Sequence, residues 1–152
     1  MKRFTIVVAL VALMAATSAT AASPTGYRKT MNAICRAYTP KLKSAEDAMA
    51  AATTRQSKTR YEAALRKFLQ LSMKQNNQLE AVRVPSSVDS MMRPVLKQMQ
   101  KIDPHLFKAL RSARFHQTKA ARSQVGTILR MTAPMNGMLD AVGLIDCGSN
   151  QP

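Results

Sequence analysis

The stretch that decides the fold is residues 88–113, VDSMMRPVLKQMQKIDPHLFKALRSA. Apolar side chains recur in it at steps of four and three residues, which is the spacing of one narrow stripe along an α-helix. A helix cannot bury such a stripe alone and packs it against the stripes of neighbouring helices. The spacing therefore predicts a long amphipathic helix in a bundle. Its stripe consists of Val88, Met92, Val95, Met99, Ile102, Leu106, Ala109 and Ala113.

The same rhythm recurs in three other segments, at residues 31–52, 61–82 and 121–142. In the segment 61–82 two polar residues, Ser72 and Gln75, interrupt it. No window alternates apolar and polar residues for long enough to predict a β-strand. Four amphipathic helices joined by short connections predict an all-α fold, an antiparallel up-down four-helix bundle.

Polar and helix-breaking residues separate these segments. The run TTRQSKT at residues 53–59 is a polar turn between the first two helices. Pro85 stops the second helix, and Ser86 or Ser87 suits the cap of the third. Gly143 ends the fourth helix, as a glycine after the last helical turn commonly does.

Of the prolines inside the predicted helices, Pro40, Pro94 and Pro104 bear on the number of helices. Pro94 indicates either a kink or a later start of the third helix. Pro40 and Pro104 each follow a residue that suits a helix cap, which is how a new helix often begins. The apolar register nevertheless passes both without a shift. We expect kinked continuous helices, and a five- or six-helix version is the alternative. No glycine or proline marks the turn between the third and fourth helices, where Thr118 is the expected cap.

The first 22 residues have the three-part layout of a secretory signal peptide. Two basic residues are followed by an apolar run from Phe4 to Ala16 and by an Ala-x-Ala cleavage pattern. That run is too short to span a membrane, and no later segment is apolar over enough length to do so. We predict cleavage, with a retained anchor as the alternative. Residues 23–152 then form one exported bundle domain, a monomer in the cell envelope or the extracellular space.

The two cysteines, Cys35 and Cys147, are 112 residues apart. In an oxidising compartment two thiols in a small domain most often pair. In an up-down bundle the first and fourth helices are antiparallel neighbours, so the C-terminal tail arrives near the start of the first helix. The sequence therefore predicts an end-to-end disulfide between Cys35 and Cys147. Two unpaired thiols are the alternative.

The sequence around these cysteines carries a resemblance. AICRAY at residues 33–38 and MLDAVGLIDCG at residues 138–148, which contains Gly143, Leu144 and Cys147, resemble a loose group of small exported actinobacterial helical proteins. That group shares one cysteine in the first helix and a terminal Gly-Leu-x-x-Cys. The resemblance implies a helical bundle with an end-to-end disulfide, and it implies no activity.

Positive charge is the strongest functional signal in the sequence. Residues 23–152 contain 21 basic and 8 acidic residues, a formal net charge of +13, and no acid occurs between Pro104 and Leu139. Such an excess attracts anionic lipid or cell-wall polymers, and export argues against intracellular nucleic acid. The alternative is an ordinary solvated polar surface. The candidate anion-binding residues, here called the basic face, are Arg93, Lys97, Lys101, Lys108, Arg111, Arg114, Lys119 and Arg122.

Catalytic signatures are missing from the sequence. There is no Gly-x-Ser-x-Gly turn, no His-Glu-x-x-His pair and no glycine-rich phosphate loop. The adjacent acids Glu46 and Asp47 diverge on a helix and cannot meet on one substrate atom. General acid–base chemistry needs titratable groups that converge. We therefore expect no enzymatic activity and no cofactor.

Methionines supply the remaining candidate chemistry. Met131, Met135 and Met138 share one face of the fourth helix, and Met91, Met92 and Met99 lie on the third. Clustered thioethers with a nearby imidazole suit copper(I), and the two histidines are His105 and His116. Methionine is also the adaptable filler of helical cores, and we expect that role and no metal site. The alternative function is an extracytoplasmic carrier of copper or of a small apolar ligand. Ser72 and Gln75 are candidates to line a ligand cavity between the helices. The more frequent role of such residues is a hydrogen bond to a neighbouring helix or a position facing solvent.

Overall fold

The computed structural model of the chain describes residues 23–148. Its four helices are α1 (Pro24–Thr54), α2 (Lys58–Glu80), α3 (Ser86–Arg114) and α4 (Thr118–Ala141). This part of the chain contains no strand, and none of its helices is long and apolar enough to cross a membrane. The predicted all-α four-helix bundle is confirmed. The predicted signal peptide, residues 1–22, lies outside the described residues.

The prolines lie inside continuous helices, so the five- or six-helix alternative is wrong. Pro40 is part of α1, and Pro94 and Pro104 are part of α3. All three are exposed. On the solvent side a proline costs the helix one backbone hydrogen bond, but water reaches the carbonyl group that loses its partner. Burial of the opposite face contributes about 1.5–3 kcal/mol for each large apolar side chain, which offsets that loss.

Helices that follow one another in the chain pack side by side: α1 on α2, α2 on α3, and α3 on α4. The predicted stripes form the shared core, and all eight stripe residues of α3 are buried. By contrast, α1 and α4 make little direct contact. The bundle therefore has three packed seams and one open seam, here called the α1–α4 seam.

The C-terminal tail, residues 142–148, lies along α1 at one end of this open seam. Gly143 turns the chain back with a φ of 81°, in the left-handed region that suits glycine. The next residue, Leu144, has none of its surface exposed. Arg28 donates from Nε to the Val142 carbonyl oxygen at 2.8 Å. The tail is thus a packed part of the bundle.

The predicted disulfide is confirmed, and it fixes the tail to α1. The Cα atoms of Cys35 and Cys147 are 5.3 Å apart, and both residues are buried. One turn earlier on α1, Asn32 donates from Nδ2 to the Gly143 carbonyl and accepts the Asp146 N–H through Oδ1, each at 3.2 Å. The covalent link therefore joins α1 to the tail rather than to α4 itself.

The helix boundaries differ in detail from the expected caps. Ser86 and Thr118 are the first residues of α3 and α4, and neither α3 nor α4 has a side-chain cap bond. The turns before α2 and α4 contain no glycine, yet Gln56 and His116 have φ values of 51° and 57°. This conformation costs an ordinary residue about 1–2 kcal/mol. Local backbone hydrogen bonds close both turns: the Ser57 N–H donates to the Ala52 carbonyl and the Gln117 N–H to the Ser112 carbonyl, each at 2.9 Å.

Candidate functional site

The open α1–α4 seam leaves a cavity of about 330 Å³ in the core of the bundle. Its wall comes from all four helices, and Cys147 of the tail is part of it. On α1 the wall extends from Met31 to Glu46, about 22 Å of helix. The cavity is therefore elongated along the bundle, with the tail at one end. Much of the wall is aliphatic, including Leu69, Ile102, Leu106, Ile128, Met135 and Leu139.

Six uncharged polar side chains also lie in this wall: Thr39, Ser72, Gln75, Asn76, Thr132 and Asn136. Ser72 and Thr39 each donate to the backbone carbonyl one turn earlier, at 3.0 and 2.9 Å. Asn76 donates to the carboxylate of Asp103 on α3. The Gln75 amide has no hydrogen-bond partner within the described chain. Both polar interruptions of the second apolar stripe thus line the cavity. Thr132 donates to the Leu129 carbonyl at 3.1 Å, so the amides without a hydrogen-bond partner in the described chain are those of Gln75 and Asn136.

Where the seam opens, the rim of the cavity is polar without a dominant charge. Lys43 and Glu46 contribute from α1, and Leu129 and Asn136 contribute from α4. Lys43 donates from Nζ to Asp47 at 2.8 Å, and this hydrogen bond, followed by the Asp47 charge, raises the pKa of Lys43. Leu129 is 59% exposed. The rim therefore contains one exposed large apolar side chain, Leu129, and one cation, Lys43, whose charge Asp47 already compensates.

All eight residues of the basic face are exposed. On α3 they lie on the side opposite the buried stripe, as their spacing predicts. Arg93 is paired with Asp89, and the Arg122 guanidinium lies 5.5 Å from the centroid of the Tyr61 ring. Positive charge is not confined to this side of the bundle. Exposed lysines that the sequence pattern did not single out are Lys29 on α1 and Lys67 and Lys74 on α2.

The methionines of α4 belong to the core. Met135 is buried, and Met131 and Met138 are partly buried and packed against the core cluster. His105, the candidate imidazole, makes a hydrogen bond of 2.9 Å between its Nδ1 and Oε1 of Gln124. Within the range that the structure describes, no three His, Cys, Asp or Glu side chains come together as a metal site. The three methionine side chains therefore contribute to the packed core.

A polar cluster at the other end of the bundle was missed by sequence reasoning. Glu62, near the start of α2, is only 6% exposed. Its two carboxylate oxygens lie 2.5 Å from Thr118 Oγ1 and 2.8 Å from His116 Nδ1. The hydrogen bonds with Thr118 and then His116 lower the pKa of Glu62 below its ordinary value. This Glu62 cluster (Glu62, His116 and Thr118) ties the start of α2 to the turn between α3 and α4.

Comparison with known proteins adds no relative. Protein-family models, curated proteins and solved structures were each compared with the chain, and none matches. The likeness to small exported actinobacterial helical proteins therefore stays a prediction. The structure does give the residues that carry it physical roles. Gly143 turns the chain back, Leu144 is the buried anchor of the tail, and Cys147 is its covalent link.

Proposed function

We propose that this protein is an exported, non-enzymatic module that binds anionic surfaces or polymers through the basic face. The observation that carries this proposal is the exposure of all eight cations along α3 and the start of α4. From Arg93 to Arg114 the face covers about 32 Å of helix. A row of that length spans several headgroups of an anionic bilayer or several units of an acidic cell-wall polymer, where each bound charge adds attraction.

The expected strength of this attraction depends on salt. A Lys or Arg close to an anionic membrane contributes about 1 kcal/mol, and the contribution falls off within the screening length of about 10 Å at 0.1 M salt. Arg93 contributes less than the others because Asp89 already neutralises it. The net charge of +13 over residues 23–152 adds a long-range attraction of the same sign. Binding should therefore be firm at low salt and weak at high salt.

Export and the monomeric state are part of the same proposal. The Cys35–Cys147 disulfide fits an oxidising compartment, and the layout of residues 1–22 supports delivery to one. A net charge this far from zero opposes self-association in solution.

Vesicle binding tests the proposal. We expect the protein to sediment with vesicles that contain phosphatidylglycerol at low salt and to be released at high salt. Vesicles of phosphatidylcholine alone are the control surface and should retain little protein. Equal binding to both kinds of vesicle, or binding that salt does not change, would contradict the proposal.

Two triple variants with the same change in net charge test whether the basic face is the binding surface. One replaces Lys97, Lys101 and Lys108 of the face by Gln. The matched control replaces Lys29, Lys67 and Lys74 on the other helices by Gln. We expect the first variant to lose more vesicle binding than the control. Equal losses would show that overall charge, and not this face, causes the binding.

The alternative function, a carrier, divides into two cases. Copper transport is not favoured, because the side chains of the α4 methionines pack in or against the core and His105 is hydrogen-bonded to Gln124. A small apolar ligand is favoured by one observation, the cavity in the α1–α4 seam.

A further inference from the structure

We propose that the cavity in the α1–α4 seam binds one uncharged amphiphile, a molecule with a linear apolar body and a single uncharged hydrogen-bonding group. This site is independent of the proposed anion binding, because the cavity wall and the basic face have no residue in common. It gives the small-ligand alternative a defined place in the fold and a defined chemistry.

The size of the cavity points to a small molecule rather than to a protein segment. Protein interiors are packed as densely as organic crystals, so an open space lined by all four helices of a bundle is a departure from the rule. Its volume of about 330 Å³ lies at the lower end of the range for small-molecule pockets, about 300–1,000 Å³. A further helix with its side chains is about 10 Å across and does not fit such a volume.

The shape and lining of the cavity point to a linear apolar body. The wall extends from Met31 to Glu46 on α1 and from Val125 to Leu139 on α4, about 21–22 Å of each helix. Over this length it is formed largely by aliphatic side chains of all four helices. A linear chain contacts such an elongated wall over its whole length and leaves little of its own surface in water, whereas a compact molecule contacts only part of the wall.

The charges in the wall point to an uncharged head. The ionisable residues there are one cation, Lys43, and one anion, Glu46, and Lys43 is already bonded to Asp47. A charged head would lose its hydration without meeting an unopposed charge of opposite sign. Two amides in the wall, Gln75 and Asn136, have no hydrogen-bond partner in the described chain; Asn136 is exposed to water at the rim, whereas Gln75 is half-buried. The Gln75 amide both donates and accepts. A hydroxyl or an uncharged ester or amide would satisfy it.

Three probes with the same lauryl chain test the proposed chemistry: lauryl alcohol, laurate and lauryl ammonium. Binding is measured by calorimetry at high salt, which suppresses attraction to the basic face, and stoichiometry is measured by native mass spectrometry. We expect one lauryl alcohol per protein, bound more than about tenfold tighter than either ionic probe. Tighter binding of laurate or lauryl ammonium would overturn the uncharged ligand. No binding of any probe would overturn the site.

Matched variants test the location of the site. Thr132 lines the cavity, whereas Thr127 is on the same helix outside it. Thr132→Phe should fill part of the cavity and weaken lauryl alcohol binding at least tenfold, and Thr127→Phe should leave it unchanged. Helicity and melting temperature report whether both variants fold. Equal affinities of the two folded variants would overturn the assignment.

A second pair of variants, with smaller changes in side-chain volume, tests the site if Thr132→Phe does not fold. Gln75→Leu removes the proposed partner of the ligand head, and Gln78→Leu on the exposed side of α2 is its control. We expect about a fivefold loss of lauryl alcohol affinity, the value of one hydrogen bond, for Gln75→Leu only. An equal effect of both variants, or no effect of either, would show that Gln75 does not bind the head.

The outcomes separate this site from the proposed anion binding. Laurate binding that disappears at high salt and is unchanged in Thr132→Phe would belong to the basic face, and it would leave the cavity unsupported. Salt-dependent vesicle binding without lauryl alcohol binding would keep the proposed function and reject the cavity site. A protein dimer that excludes lauryl alcohol would show that a second copy covers the seam, and it would also reject the site.

Discussion

The two ends of the bundle are held together in different ways. At the end where α1 begins, the tail is joined to α1 by the Cys35–Cys147 disulfide and by hydrogen bonds from Arg28 and Asn32. At the opposite end there is no covalent link, and the Glu62 cluster ties α2 to the turn between α3 and α4. Between the two ends the α1–α4 seam stays open. The tail therefore connects the α4 side to α1 at one end, whereas the Glu62 cluster connects α2 to the α3–α4 turn and does not cross the open seam.

The distance along the chain explains why the two ties differ in kind. The tail must reach a partner 112 residues away, and a covalent link removes that loop-closure entropy from the unfolded state. Glu62 and Thr118 are 56 residues apart, and packed helices already bring them together. A hydrogen-bonded cluster is then enough to fix the turn.

Breaking the covalent end should have the largest effect. The double variant Cys35→Ser/Cys147→Ser should lower the free energy of unfolding by about 2–5 kcal/mol, because it frees a long loop in the unfolded chain. Urea unfolding followed by circular dichroism measures this loss, and reduced wild-type protein should behave in the same way. A loss well below about 1 kcal/mol would show that the tail holds this end without the disulfide.

The second-largest loss of stability is expected at Leu144, the buried anchor of the tail. Leu144→Ala removes a side chain with no exposed surface and should cost about 3 kcal/mol in the free energy of unfolding. Ile145→Ala is the neighbouring control, and it should change the value by less than about 0.5 kcal/mol because Ile145 is exposed. Similar losses in both variants would mean that the tail is not packed in the way described.

The polar end should give a smaller effect that depends on pH. Because the pKa of Glu62 is lowered by its bonds to Thr118 and His116, the cluster stabilises the fold at pH values above the ordinary pKa of 4.5. This contribution disappears as the pH falls through the lowered pKa. Glu62→Gln should therefore destabilise the protein more at about pH 7 than at about pH 3, measured by urea midpoints.

Two features make the Glu62→Gln comparison specific. Glu46→Gln is the matched control, since the Glu46 side chain is exposed and bonds no other helix. Burial and then the Asp103 charge raise the pKa of Glu80, so Glu80 stabilises the fold at low pH. This contribution is the same in the wild type and in both variants, and it therefore cancels when their free energies of unfolding are compared. An identical pH dependence in wild type and Glu62→Gln would refute the role of the cluster.

The smallest expected change in the free energy of unfolding is a gain in stability rather than a loss. Tyr27, near the start of α1, is buried, its hydroxyl has no hydrogen-bond partner within the described chain, and burial raises its pKa to about 12. Tyr27→Phe should therefore raise the free energy of unfolding by about 1 kcal/mol, since an unpaired buried hydroxyl is costly. Tyr61→Phe, at a half-buried position, is the comparison. A clear loss of stability in Tyr27→Phe would mean that the hydroxyl is bonded.

The sequence was sufficient to predict the helices and the disulfide, because the helices follow from local residue spacing and the disulfide follows from the order of the helices. The spacing of Val88, Met92 and Val95 determines which side of α3 is buried, whatever the helix packs against. The pairing of Cys35 and Cys147 follows once the helix order is known. The prolines were ambiguous, because their effect depends on whether they face solvent, and residue spacing alone did not settle that.

The rest depends on contacts between distant residues. A stripe on each helix does not reveal whether the side chains of α1 and α4 fill the space between them, so the cavity was only an alternative. Gly143 was correctly interpreted as the end of a helix. The burial of Leu144 could not be predicted in the same way, because it depends on α1 lying alongside the tail. The three-residue spacing of Leu144 and Cys147 was the available signal that both side chains face α1. The buried position of Glu62 depends on Thr118 and His116, and no local pattern predicts it.

The central claim is that the C-terminal tail folds back onto α1 and is joined to it, which fixes one end of the bundle and of its cavity. Peptide mapping of the unreduced protein by mass spectrometry tests this claim most directly. We predict one cross-linked pair of peptides, containing Cys35 and Cys147, that separates after reduction. Free thiols at both positions in the folded protein would contradict the claim and would leave the cavity without its closed end.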